Sequence, residues 1–234
     1  MHACVFTSSN HTPSRMGASP HYEARYLDLF RYPCRLILAG PSNTGKTSVC
    51  IRLVKHYHEK FATILICGST QHPLQHEKDF SDKVIVSKDI LNPISYKTQA
   101  DDHILLILDD CFTEALNSPE IADTFTKGRH ENISIVLITQ NLFSFGKYAR
   151  NISLNASAFI LFKQRDISQI ETLGRQIFGK CDAKKFLAAY KDTVLSSPYS
   201  YLLLDLIVDT PDELQLRSNL FNENGPYQVV HKWR

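Results

Sequence analysis

Gly40-Pro41-Ser42-Asn43-Thr44-Gly45-Lys46-Thr47 satisfies every fixed position of the phosphate-loop pattern GxxxxGK[ST]. An apolar run at residues 36–39 precedes it. An amphipathic stretch at 47–57 follows, with Val49, Cys50, Leu53, Val54 and Tyr57 on one face. Strand, glycine loop and helix in that order are the context the pattern requires. Gly40 and Gly45 permit the tight turn and the close approach of backbone to an anion. The residues between them, Pro41, Ser42, Asn43 and Thr44, and the first helical residues through Ser48 form the nest to which the helix N-terminus adds its dipole. In this pattern Lys46 reaches the β- and γ-phosphates of a bound ATP, and the Thr47 hydroxyl ligates Mg²⁺.

Outward from the loop, the chain alternates short apolar runs with helical patterns. Runs at 36–39, 63–67, 104–108, 133–139, 158–162 and 201–207 are nearly continuous in Leu, Ile, Val and Phe. Such strands are buried on both faces, as in a parallel sheet covered by helices. Between them, helical periodicity predicts helices over 167–178 and, capped by Asp182, over 183–190. Ser118-Pro119-Glu120 reads as an N-cap, a first-turn proline and an early acid that open a further helix. The fold class is therefore α/β, with a central, mostly parallel sheet. Residues 71–102 are less regular and hold one further candidate strand, 83–87.

Ile104-Leu105-Leu106-Ile107-Leu108-Asp109-Asp110 is an apolar strand ending in two acids, the Walker B pattern that completes a phosphate loop. Asp109 is assigned to the Mg²⁺ shell and Asp110 to polarising the attacking water. Many related enzymes carry Glu at the second place, and the shorter Asp must sit closer or act through an extra water. Gln140 ends the 133–139 run. If that strand lies between the phosphate-loop and Walker B strands, its amide, which both donates and accepts, reaches the γ-phosphate. Thr139 is a weaker companion.

Charge is unevenly placed. From Lys127 to Lys191 there are eleven Lys and Arg against four acids, so a net +2 chain carries +7 in that stretch and −5 elsewhere. A basic half suits phosphate contacts, to DNA or to a neighbour's nucleotide. A solvated helix face accounts for Lys180, Lys184 and Lys185. Arg129 and Arg150 flank the Gln140 strand in short polar loops, where either could reach an adjacent subunit's ATP in trans. Phe143 and Phe145 share a loop with Lys147; they either contact nucleic acid or plug the core.

At 234 residues and 43% hydrophobic content, the chain holds enough apolar material for one large domain. No run is long enough to span a membrane, and no signal core opens the chain. Six dispersed cysteines read as reduced, mostly buried thiols, without zinc-site spacing. Residues 1–32 lack periodicity and read as an arm, 33–222 as the phosphate-loop domain and 223–234 as a tail.

Longer stretches carry a family likeness. Thr126-Lys127-Gly128-Arg129-His130, then Ile138-Thr139-Gln140-Asn141-Leu142-Phe143, then Arg150-Asn151-Ile152-Ser153 resemble viral genome-packaging ATPases of the FtsK–HerA superfamily. The branch most resembled is that of Polinton/Maverick elements and adintoviruses, relatives of the poxvirus packaging ATPase. Leu161-Phe162-Lys163, Tyr201-Leu202-Leu203, Asp205 and Leu216-Arg217 extend the likeness, which covers about 31–221. The resemblance implies a RecA-like core of additional-strand type and a ring of five or six copies that pumps double-stranded DNA into a preformed capsid. It also implies a capsid portal or vertex protein as partner, and the infected host cell, cytoplasm or nucleus, or the virion as location. It makes Arg129 the trans arginine, with Arg150 its rival, and Gln140 the polar sensor. The Asp109-Asp110 pair departs from the Asp-Glu of cellular relatives. Two other readings stay open: a small nucleotide or nucleoside kinase, and an ATP-binding assembly subunit that does not hydrolyse.

Overall fold

The computed structural model describes residues 4–5, 27–68, 70–143, 146–221 and 229–231. In chain order the strands are β1 (Cys4–Val5), β2 (Arg35–Ala39), β3 (Thr63–Cys67), β4 (Val84–Ser87), β5 (Ile104–Leu108), β6 (Ile133–Thr139), β7 (Ala158–Phe162), β8 (Tyr201–Asp205), β9 (Leu216–Ser218) and β10 (Val229–Val230). The helices are α1 (Lys46–Tyr57), α2 (Phe112–Asn117), α3 (Pro119–Lys127), α4 (Ala149–Asn155) and α5 (Ile167–Val194). Most of the expected arm and tail, together with Phe145, lies outside the described residues. The chain forms two compact units, Phe30–Ile160 and the pair Met1–Leu29 with Leu161–Arg234.

In the first unit the strands run in the order β2-β6-β5-β3-β4, and every pair is parallel. β5 and β6 are buried along their whole length, which is why their sequences show no polar alternation. Each large aliphatic side chain among them contributes about 1.5–3 kcal/mol relative to exposure. The order answers the question that the position of Gln140 raised, because β6 does lie between the phosphate-loop strand β2 and the Walker B strand β5. Registers Ala39↔Thr139 and Cys67↔Leu108 bring the C-terminal ends of β2, β6, β5 and β3 to one edge, where ligands of open α/β sheets bind. α1 turns its five predicted apolar residues inward. α3 is capped as read, with the Ile121 N–H donating to Ser118 Oγ at 3.1 Å.

The second unit pairs β8-β9-β10-β1 antiparallel. Its long helical stretch keeps the expected pair: α5 runs from its Asp166 cap to a kink at Gly179, whose φ of 70° lies in the left-handed region, so the first helix ends at Phe178 as read and the second begins ahead of the expected 183. Asp182 is not a cap; it sits past the break and pairs with Lys185 at 3.1 Å. β8 stops at Asp205, short of the expected 207, and Asp205 accepts from Arg217 of β9 with both side chains fully buried.

Candidate functional site

The phosphate loop is shaped by two left-handed residues, Asn43 with φ 62° and Gly45 with φ 93°. Gly40 N–H donates to Thr139 O at 3.1 Å, tying the loop's first residue to the tip of β6. Gly45 caps α1 without a side-chain hydrogen bond, and the first turn holds no acid. Its leading N–H groups therefore face outward with the positive end of the helix dipole, an arrangement suited to phosphate oxygens. Lys46 Nζ rests on Pro41 O at 2.8 Å. Burial draws the lysine below its ordinary range, while Asp109 and then Asp110 pull it back.

At the tip of β5, Asp109 Oδ2 accepts from the Thr47 hydroxyl at 3.1 Å. The two residues expected to share Mg²⁺ thus touch, and a hydroxyl and a carboxylate form the hard oxygen set that Mg²⁺ takes. Asp109 is 9% exposed. Burial raises its carboxyl above the usual range, and the bond from Thr47 counters that rise. Asp110 follows with φ 60°, a left-handed conformation uncommon outside glycine, which aspartate and asparagine visit more readily than other residues. On β6, Thr139 Oγ1 donates to Asn141 O at 2.8 Å and accepts from Asn141 N–H at 3.1 Å. This clasp fixes the turn that exposes Gln140.

Lys46, Thr47, Asp109, Asp110 and Gln140 border one cavity of about 610 Å³, with Ser42 and Asn43 of the loop. Thr113 and Glu114 of α2, and Asn141, complete its polar wall. Sequence reading did not include these three. Glu114 stands one helical turn after Asp110, but only a helix starting directly behind Walker B makes that spacing meaningful, and α2 was not anticipated. A larger cavity of about 750 Å³ adjoins the site and shares Asp110 and Glu114 with it.

The two arginines lie apart from this wall, and neither borders the cavity. Arg129 sits in the short 3₁₀ turn Gly128–Glu131 ahead of β6, so the length of β6, about 20 Å at 3.3 Å per residue, separates it from Gln140. Within its own chain it cannot reach the site. Arg150 is not in a loop but in the first turn of α4. That helix starts beside the cavity, where Tyr148 N–H donates to the carbonyl of Leu116, a cavity residue.

Gly68, directly after β3, has φ 104°, and a Cβ there would lie 1.7 Å from the carbonyl oxygen of Asp109. Gly68→Ala is expected to destabilise the unit by about 3 kcal/mol or more. A denaturant titration checks this, and a loss under about 1 kcal/mol would show that the β3–β5 tips are not closely packed.

The sequence profile of the family described as "Poxvirus A32 protein" matches residues 71–191. Among solved structures, the genome packaging NTPase B204 from Sulfolobus turreted icosahedral virus 2 in complex with ATP-gammaS is similar at 15% identity, with a TM-score of 0.52, over 86% of this chain and 97% of that one. The same protein in complex with sulfate gives 18% identity and a TM-score of 0.51, with the same coverage. These likenesses establish the fold. No curated protein sequence matches the chain.

Proposed function

The chain belongs to the Poxvirus A32 protein family, and from that membership and the geometry of its cavity we propose that it is an ATPase that drives double-stranded DNA into a viral or virus-like capsid. One observation carries the reading: the phosphate loop, the Thr47–Asp109 contact and Gln140 meet at the tips of three adjacent parallel strands around a single cavity. The backbone N–H groups from Thr44 to Ser48 hold the phosphates. Lys46 moves from Pro41 O onto the β- and γ-phosphate oxygens and stabilises the charge that develops there. Thr47 and Asp109 would hold Mg²⁺, which would supply charge neutralisation to the phosphates. Asp110 accepts a proton from the attacking water, and Gln140 orients that water and registers the loss of the γ-phosphate.

In this reading the active form is a closed ring, pentameric or hexameric, docked on a capsid portal or vertex protein in the infected cell. Among its described residues no helix is long and apolar enough to cross a membrane. Arg129 acts in trans, since its own cavity is out of reach; Arg150 is the rival. The +7 stretch faces DNA phosphates without reading base sequence. The test is phosphate release from ATP with and without long double-stranded DNA, alongside sedimentation of the oligomer. DNA-stimulated hydrolysis by a ring is expected. A monomer under all nucleotide conditions, with a DNA-independent rate, counts against the motor.

A further inference from the structure

α2 begins two residues after Asp110 and is six residues long, Phe112–Asn117. A helix of that length spans about 9 Å and moves as one body. Three of its residues, Thr113, Glu114 and Leu116, border the nucleotide cavity. At its far end the chain leading into α4 rests on it. Leu116, which is 3% exposed, meets that chain at two points. Its carbonyl accepts from Tyr148 N–H at 2.9 Å. Its side chain packs so closely on Gly146 that a Cβ there would lie 2.6 Å from the Leu116 Cβ, an approach that only glycine permits.

Asn117, the last residue of α2, adds a third point. Its Nδ2 donates to the Thr113 carbonyl at 2.8 Å, one turn back, and its Oδ1 accepts from Lys147 N–H at 3.1 Å. The amide thus spends its donor on α2 and its acceptor on the approach to α4. α4 has no cap of its own to offer: Tyr148 stands at the capping place without a side-chain bond, and the first turn holds no acid. A helix start of that kind has N–H groups to be met from elsewhere. Here the two N–H groups that lead into α4 are met by the end of α2. Beyond the junction, α4 turns Ile152 inward and leaves Arg150 and Leu154, four residues apart on one face, exposed. Leu154 is 65% exposed, a large aliphatic side chain left in water.

We infer that Asn117 is a positioning residue that joins α2 and the start of α4 into one piece, so that nucleotide entering the cavity is felt at the face carrying Arg150 and Leu154. The inference rests on the ATPase reading above. It supplies that reading with a route from the bound nucleotide to a surface that a second copy of the chain can meet. The route is short and continuous: the cavity wall at Thr113 and Leu116, the Asn117 amide, then the N–H groups of Lys147 and Tyr148. Hydrogen bonds between rigid elements in direct contact are the means by which such coupling travels. Without the Asn117 amide, the entry to α4 keeps only its contacts with Leu116 and opens more readily.

Hydrogen exchange of the full chain reads the junction directly. It is measured with and without Mg²⁺ and a non-hydrolysable ATP analogue, alongside the analogue's affinity. In wild type, saturating analogue is expected to slow exchange of amides 147–152 about threefold or more. In Asn117→Ala the same amides are expected to exchange faster without nucleotide and to lose the response. Asn117 is exposed and does not border the cavity, so N117A is expected to hold its analogue affinity within about threefold and its thermal midpoint close to wild type. Asn117→Asp keeps an oxygen for Lys147 N–H but has no donor for the Thr113 carbonyl, and is expected to recover part of the response. An N117A chain that responds like wild type overturns the inference. So does a joint loss of affinity and thermal midpoint in N117A, which marks a purely structural role. A wild type that binds the analogue while amides 147–152 stay unchanged overturns this inference alone, whereas a wild type that binds no nucleotide overturns the ATPase reading along with it.

Discussion

Lys46→Ala is expected to lower ATP hydrolysis about 10³-fold and leave the fold intact. Among the described residues bordering the cavity, Lys46 is the one cation, set against Asp109, Asp110 and Glu114. A polyphosphate entering that wall meets three carboxylates, so the ammonium and the helix N-terminus carry the attraction. The lysine is partly buried, which strengthens its field at the phosphate relative to an exposed one. Its bond to Pro41 O is given up when phosphate arrives, so alanine removes little that stabilises the empty protein. Lys46→Arg is expected to be nearly as inactive, because a planar fork does not fit a cradle shaped for a compact ammonium. Steady-state phosphate release measures the loss and circular dichroism the fold. A rate within tenfold of wild type would remove the lysine from the chemistry and the phosphate-loop reading with it.

The parts of this arrangement differ in how plainly the sequence declares them. β5 and β6 are legible because both faces are covered, and a continuous apolar run has few other solutions. The phosphate loop is legible because its glycines and its lysine perform tasks that other residues cannot. β9 is not, because it is three residues long and contains Arg217, a charge that pattern reading assigns to solvent; its burial depends on Asp205, twelve positions earlier. The break in α5 is legible on its first side, since the periodicity ends the first helix at Phe178; the cap signal at Asp182 starts the second too late, because the backbone turns at Gly179, where a positive φ decides the matter. Gly68 and Glu114 join the site through contacts between β3, β5 and the segments that leave them. No local pattern marks such residues, since their roles come from strand order rather than from spacing along the chain.

Asp110→Asn is expected to lower hydrolysis by about 10²–10⁴-fold while nucleotide affinity stays within a few-fold of wild type. Two carboxylates compete for the proton-accepting role. Glu114 has the longer reach and borders the same cavity, but it stands on the exposed first turn of α2, where its side chain is free to sample solvent. Asp110 is shorter, yet its backbone is fixed in the left-handed region at φ 60°, directly behind the residue that bonds Thr47. Holding an aspartate in that conformation costs energy, and such strain persists where the surrounding structure imposes it, most often at functional sites. Positional precision matters more than reach for a base that must meet one water in line with the γ-phosphate. Glu114→Gln is accordingly expected to change the rate by no more than about threefold, since a rim carboxylate contributes little field in high dielectric. Phosphate release and equilibrium binding of an ATP analogue, measured on both variants, separate the two. A large loss in E114Q with D110N near wild type would move the base onto α2. In that case Asp110 would serve to orient the helix that carries the base.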